Sequence, residues 1–174
     1  LELYWAYQDY RGLMEFLQRL LLNLVKIMKI GKNPLARPWT TITFDEALKK
    51  FIGDKADNLS AEEADEIFKK EVRPKIIEPT FIINLPKAVS PLAKTDSQDP
   101  DLAERFQLLA GGLELVNGFS ELNDPLEQRL RMEEQEKQHR AGDEEASRLD
   151  EDFLEAMEYG MPPAAGLGLG LDRL

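Results

Sequence analysis

With 174 residues and 43% apolar content, the chain is long enough for one domain with a buried core, and its 11 glycines and 10 prolines argue against wholesale disorder. It has no cysteine and a single histidine, His139, in a charged helical stretch, which excludes disulfides, thiolate or histidine-ligated metals, cysteine nucleophiles and a histidine-based triad. Of the net charge of −11, −9 lies between Glu121 and Glu158, so the chain alone is poorly suited to gripping a phosphate backbone and better suited to cationic ligands and metal ions. A solvated acidic helix face explains those same residues.

The stretch LELYWAYQDY at 1–10 is aromatic-rich, and Leu1, Leu3 and Trp5 alternate with Glu2 and Tyr4. This predicts a strand with two polar groups on one face. From Leu13 to Ile30, apolar positions 13, 16, 17, 20, 21, 24, 27 and 28 keep helical spacing, and Gly31 supplies a stop. The most apolar run, Leu20 to Val25, is broken by Asn23 and flanked by Arg19 and Lys26, too short and too polar to span a bilayer. No signal-peptide pattern is present, and a cytoplasmic location without membrane contact is expected. Residues 33–38 read as a loop. Thr43 with Glu46, and Ser60 with Glu63, are capping-box signatures opening helices over FDEALKKF and AEEADEIFKKEV, the second ending before Pro74.

PTFIINLP at 79–86 reads as a buried strand between prolines. The polar loop SPLAKTDSQDPD that follows is longer than a simple connection needs, which points to a functional loop. Gly111-Gly112 between two apolar runs predicts a hairpin. Asp124, Pro125 and Glu127 open a helix that runs to Arg140 and ends at Gly142. A last helix spans 150–159 and stops at Gly160. No internal repeat is present. Strands interleaved with helices and hairpin turns predict an α+β fold, an antiparallel β-sheet flanked by helices.

Alternation in the strand after the hairpin puts Asn117, Phe119 and Glu121 on one face. Buried polar groups are costly unless paired, so a ligand is one partner for them and a wet edge strand the other explanation. Glu114 has the opposite parity and can share that face only if a bulge lies between it and Asn117. Glu2 and Tyr4 form a second polar pair, and two carboxylates with a phenol around one cavity suit an ammonium group. Gly166, Gly168 and Gly170 leave one strand face without side chains, open to a flat ligand, and Arg173 follows at its end. The spacing matches neither a Walker loop nor a dinucleotide fingerprint, and a closing strand rich in glycine without a role is the alternative.

Four segments together resemble the catalytic core of class II lysyl-tRNA synthetases. LELYWAYQDY resembles the closing strand of the family's motif 2, and EYGMPPAAGLGLGLDRL resembles motif 3. EPTFIINLPKAVSPLAK and GGLELVNGFSELNDPLEQR resemble the lysine-site strands. Residues 31–66 resemble a shortened form of the family's helical insertion. The resemblance implies that Glu2, Tyr4 and Glu121 surround the lysine ε-ammonium, that Phe119 lines its stem, and that Asn117 holds the carboxylate end. It implies that Glu114 binds Mg2+ at the ATP phosphates, and that Gly166, Gly168, Gly170 and Arg173 form the ATP site. The implied reaction joins lysine and ATP to lysyl-adenylate and pyrophosphate, then transfers lysine to tRNA(Lys), in an enzyme that is a homodimer when complete.

One departure from the family pattern is Gln107, seven residues before Glu114, where a second metal-binding glutamate is usual. The other is extent. An anticodon-binding domain, motif 1 and the start of motif 2 are absent, so residues 1–174 are expected to be an internal piece, an incomplete catalytic domain. The resemblance leaves two further readings: the related ligase that attaches lysine to elongation factor P, and a non-catalytic lysine-binding module descended from the synthetase.

Overall fold

The computed structural model describes residues 1–29, 35, 38–142, 146 and 148–174. The stop expected at Gly31 and most of the loop expected at 33–38 lie outside the described residues.

Six strands form one sheet in the order β1-β6-β5-β4-β3-β2. They are β1 (Glu2–Ala6), β2 (Thr40–Thr43), β3 (Thr80–Pro86), β4 (Leu102–Ala110), β5 (Leu113–Ser120) and β6 (Ala164–Leu169). All neighbours pair antiparallel except β2 with β3, which run parallel, so the sheet is mixed rather than wholly antiparallel. The reason is connectivity. Between β2 and β3 the chain crosses over through α2 (Phe44–Ile52) and α3 (Ala61–Ile67), as a parallel pair requires.

Helix starts follow their caps. The helix expected from Leu13 begins at Tyr10, as α1 (Tyr10–Ile27), because Asp9 accepts the Gly12 amide at 2.9 Å. Thr43 and Ser60 both complete capping boxes with Glu46 and Glu63. Beyond α3 the backbone loosens into a π turn at Phe68–Val72 and a 3-10 turn at Arg73–Lys75. Asp124 starts α4 (Pro125–Arg140) and Asp150 starts α5 (Glu151–Glu158). In the β4–β5 hairpin, Gly111 and Gly112 have φ of 61° and 78°, the doubly positive pair of a type I′ turn.

The two sheet faces are covered unequally. On one, α1 lays Leu13, Leu17 and Leu21 against Phe106, Leu108, Val116, Leu167 and Leu169, all buried. Each fully buried leucine contributes about 1.5–3 kcal/mol. On the other, α2, α3 and the π turn pack Phe44, Leu48 and Phe68 against Ile82, Leu85 and Leu109, covering the β3–β4 half only. The β5–β6–β1 half of that face carries the polar residues.

Candidate active site

Two rows of side chains cross the uncovered half-sheet. In the first, Tyr4, Gly166, Phe119 and Arg105 are successive partners on β1, β6, β5 and β4. In the second, Glu2, Gly168, Asn117 and Gln107 are. Paired residues point to the same face, so the grid follows from register alone. Glu114 joins it through an irregularity. Leu108 pairs with Val116 and Leu109 with Glu114, which leaves Leu115 as the extra residue of a bulge and turns Glu114 to the side of Asn117.

Two adjoining cavities lie on the grid. One of about 150 Å³ is lined by Glu2, Tyr4, Asn117, Phe119, Glu121 and the β6 glycines. The other, about 300 Å³, is lined by Glu2, Glu114, Asn117, Gly168, Gly170 and Arg173 among others. Glu2, Asn117 and Gly168 belong to both, so the cavities form one cleft. Cavities of about 320 and 440 Å³ elsewhere are larger, yet neither gathers a comparable set of acids and amides. All ten residues expected to form the site therefore line this cleft.

Glu121 closes its narrower end. Its Oε1 is buried without a hydrogen-bond partner, and burial pushes its carboxyl up to about 7. No described cation pairs with Glu121 or Glu2. Asn117 is oriented: its Oδ1 accepts from Arg105 Nε at 2.9 Å, which leaves the Nδ2 donors for the cleft. Arg105 also donates to Val89 O at 2.8 Å and to Ser90 Oγ at 3.0 Å, and its burial lowers its affinity for its proton.

The glycine face is less open than its spacing predicts. A Cβ at Gly166 would run into Glu121 and come within 2.8 Å of the Tyr4 ring, whereas at Gly168 it would meet nothing within 4 Å. One glycine makes room for protein side chains, and the other opens the cleft. Arg173 returns to the cleft by donating to Glu114 O at 3.1 Å.

Three arginines were not singled out from the sequence. Arg105 was the most legible, a cation beside Glu104 on a strand that is otherwise mostly apolar. Arg131 on α4 donates to Pro91 O, Ala93 O and Thr95 Oγ1, and so pins the long polar loop beside Glu121. Arg73 pairs with Glu114 at 3.2 Å across 41 residues of sequence, a contact without a local signal.

The residues present do not make a resident magnesium site. Among the described residues no three potential ligands cluster, Glu114 is held by Arg73, and Gln107 offers a neutral amide. Magnesium prefers one or two free carboxylates together with phosphate oxygens.

The chain matches the family model of tRNA synthetases class II (D, K and N) over residues 1–174, and it belongs to that family. Its relatives include the lysine–tRNA ligases of Moorella thermoacetica, Pelotomaculum thermopropionicum and Campylobacter jejuni, at 42%, 41% and 40% identity over the whole of this chain. The chain spans about two-fifths of the length of these relatives, 42%, 41% and 41% respectively.

Proposed function

We propose that this chain supplies the amino-acid and nucleotide cleft of a lysine–tRNA ligase, active in the complete protein with lysine, ATP and tRNA(Lys). The observation that carries this reading is the narrow cavity itself. Two carboxylates without cations and a phenol stand opposite an amide whose donors are free. A ligand cationic at one end and anionic at the other fits that polarity. Glu121 and Glu2 neutralise the ε-ammonium, Phe119 lines the methylene stem, and Asn117 Nδ2 donates to the carboxylate.

The wider cavity receives the nucleotide, over the open Gly168 and beside Gly170 and Arg173, whose guanidinium suits an adenine ring or a phosphate. The lysine carboxylate oxygen attacks the α-phosphorus, and the bond to the β-phosphate oxygen breaks to release pyrophosphate. No side chain has to act as nucleophile. The residues align the reactants and neutralise their charge.

The names of the relatives favour tRNA over elongation factor P as the acceptor. We further propose that residues 31–66 are a shortened insertion. Alignments of 204 positions against 174 residues leave about 30 positions of the relatives without a counterpart here, which supports it. The complete protein is proposed as a cytoplasmic homodimer, in keeping with a translation enzyme. Among the described residues no helix is long and apolar enough to cross a membrane.

The test is lysine-dependent ATP–pyrophosphate exchange by the chain completed at both ends, with arginine and ornithine as controls. Exchange with lysine alone, followed by transfer to tRNA(Lys), is expected. Lysine binding without exchange would select the non-catalytic module instead.

A further inference from the structure

Glu114 is the only carboxylate lining the cleft that has an ion-pair partner among the described residues. That partner is held in place by the backbone. The turn carrying Arg73 is clamped under the hairpin, with Gly111 N donating to Ile77 O and Gly112 N to Ile76 O, both at 2.9 Å. Gly112 allows this approach, since a Cβ there would lie 2.9 Å from Pro74 O. Arg73 and Glu114 side chains are only 20% and 21% exposed, and Arg73 Nε is buried without a partner. Partial burial of both charges strengthens their attraction relative to a surface pair.

On the same face of the sheet, opposite Asn117 and two residues along β4 from the partner of Glu114, stands Gln107, 2% exposed, with a partnerless Oε1. A divalent ion placed on Glu114 would meet a guanidinium at contact distance and an uncharged amide where a second carboxylate would be needed.

We infer that Arg73 stands on Glu114 in place of a divalent cation: the positive charge at this point of the cleft belongs to the protein, and Glu114 is not a metal ligand. The inference deepens the nucleotide reading of the wider cavity and rests on it for its significance.

The experiment titrates Mn2+ alone into the 174-residue chain, without ATP or lysine, and follows free Mn2+ by electron paramagnetic resonance. The wild-type chain is expected to show no cleft site with a Kd below about 1 mM. Arg73→Gln combined with Gln107→Glu is expected to tighten Mn2+ binding roughly tenfold or more, by removing one charge and adding another. Adding Glu114→Gln to that pair removes the gained site. Arg73→Lys keeps the charge and the wild-type behaviour, and thermal melts verify that each variant is folded. Wild-type binding that disappears in Glu114→Gln alone would overturn the inference, and so would a folded double variant that gains nothing. A chain that fails to bind lysine sinks the proposed function but leaves the Mn2+ titration readable.

Discussion

The raised carboxyl of Glu121 makes lysine binding depend on pH in a way that can be calculated. An ammonium pairs with the carboxylate form, whereas burial holds the unliganded group at about 7 against an ordinary 4.5. Below that value a proton must leave before the ligand can pair. The apparent Kd therefore rises by the factor one plus the ratio of protonated to ionised Glu121. That factor is about 11 at pH 6, about 2 at pH 7 and about 1.1 at pH 8, so affinity falls about tenfold from pH 8 to pH 6. The ligand's ε-ammonium, with a reference value of about 10.4, stays charged throughout. Calorimetric titration of lysine at the three pH values measures this, with Glu121→Gln as the control. The variant should bind more weakly at pH 8, by roughly 10- to 100-fold for a lost charged hydrogen bond, and should lose most of the slope. A wild-type affinity constant between pH 6 and pH 8 would refute both the raised carboxyl and its place against the ammonium.

The same carboxyl affects the unliganded fold. Because the folded chain binds this proton more tightly than the unfolded chain, its contribution to stability is full below about 4.5 and is lost as pH rises through 7. Glu121→Gln keeps that contribution, so it should melt higher than wild type at pH 8, by the order of 1–2 kcal/mol after allowance for solvent screening, and equally at pH 4. Gly166→Ala should weaken lysine binding by displacing Glu121 and Tyr4, while Gly168→Ala, whose added methyl meets no protein atom, should leave stability unchanged and weaken ATP binding more than lysine binding. Equal effects of the two alanines on both ligands would contradict the division of the cleft. Arg105→Leu removes the bonds to Asn117, Val89 and Ser90, and should cost about 1.5–3 kcal/mol in a urea melt together with lysine affinity.

Features encoded within a few residues were readable in the sequence. Thr43, Ser60, Asp124 and Asp150 act on amides two or three positions away, so their helices begin where the residues predict. The bulge beside Glu114 was legible only as a condition, since its opposite parity lets it share the face of Asn117 only where a bulge intervenes, and the register shift supplies one. Asp9 was overlooked because the aromatic alternation before it reads on as strand through Tyr10. The four-residue β2 was missed too, since TTIT is short and Thr43 doubles as a cap. Its parallel pairing with β3 is set by a crossover of some forty residues, not by local pattern. The crowding at Gly166 was hidden for a related reason, as it depends on where Tyr4 on β1 and Glu121, just past the end of β5, lay their side chains.

The order of strands also dictates when the cleft can exist. Among the described residues β1 pairs only with β6, and β6 lies between β1 and β5. Tyr4 therefore waits for Gly166, and Glu2 for Gly168, across nearly the whole chain. Closing a loop of that length carries an entropy cost that local helices escape, and such long-range pairings slow folding. During synthesis α1 and the β4–β5 hairpin can form while β1 hangs unpaired. Binding competence arrives only when the glycine strand threads into the gap. A ligand spanning both rows then bridges β1 to β5 through β6, and acts as a clasp on the strand that completes the cleft.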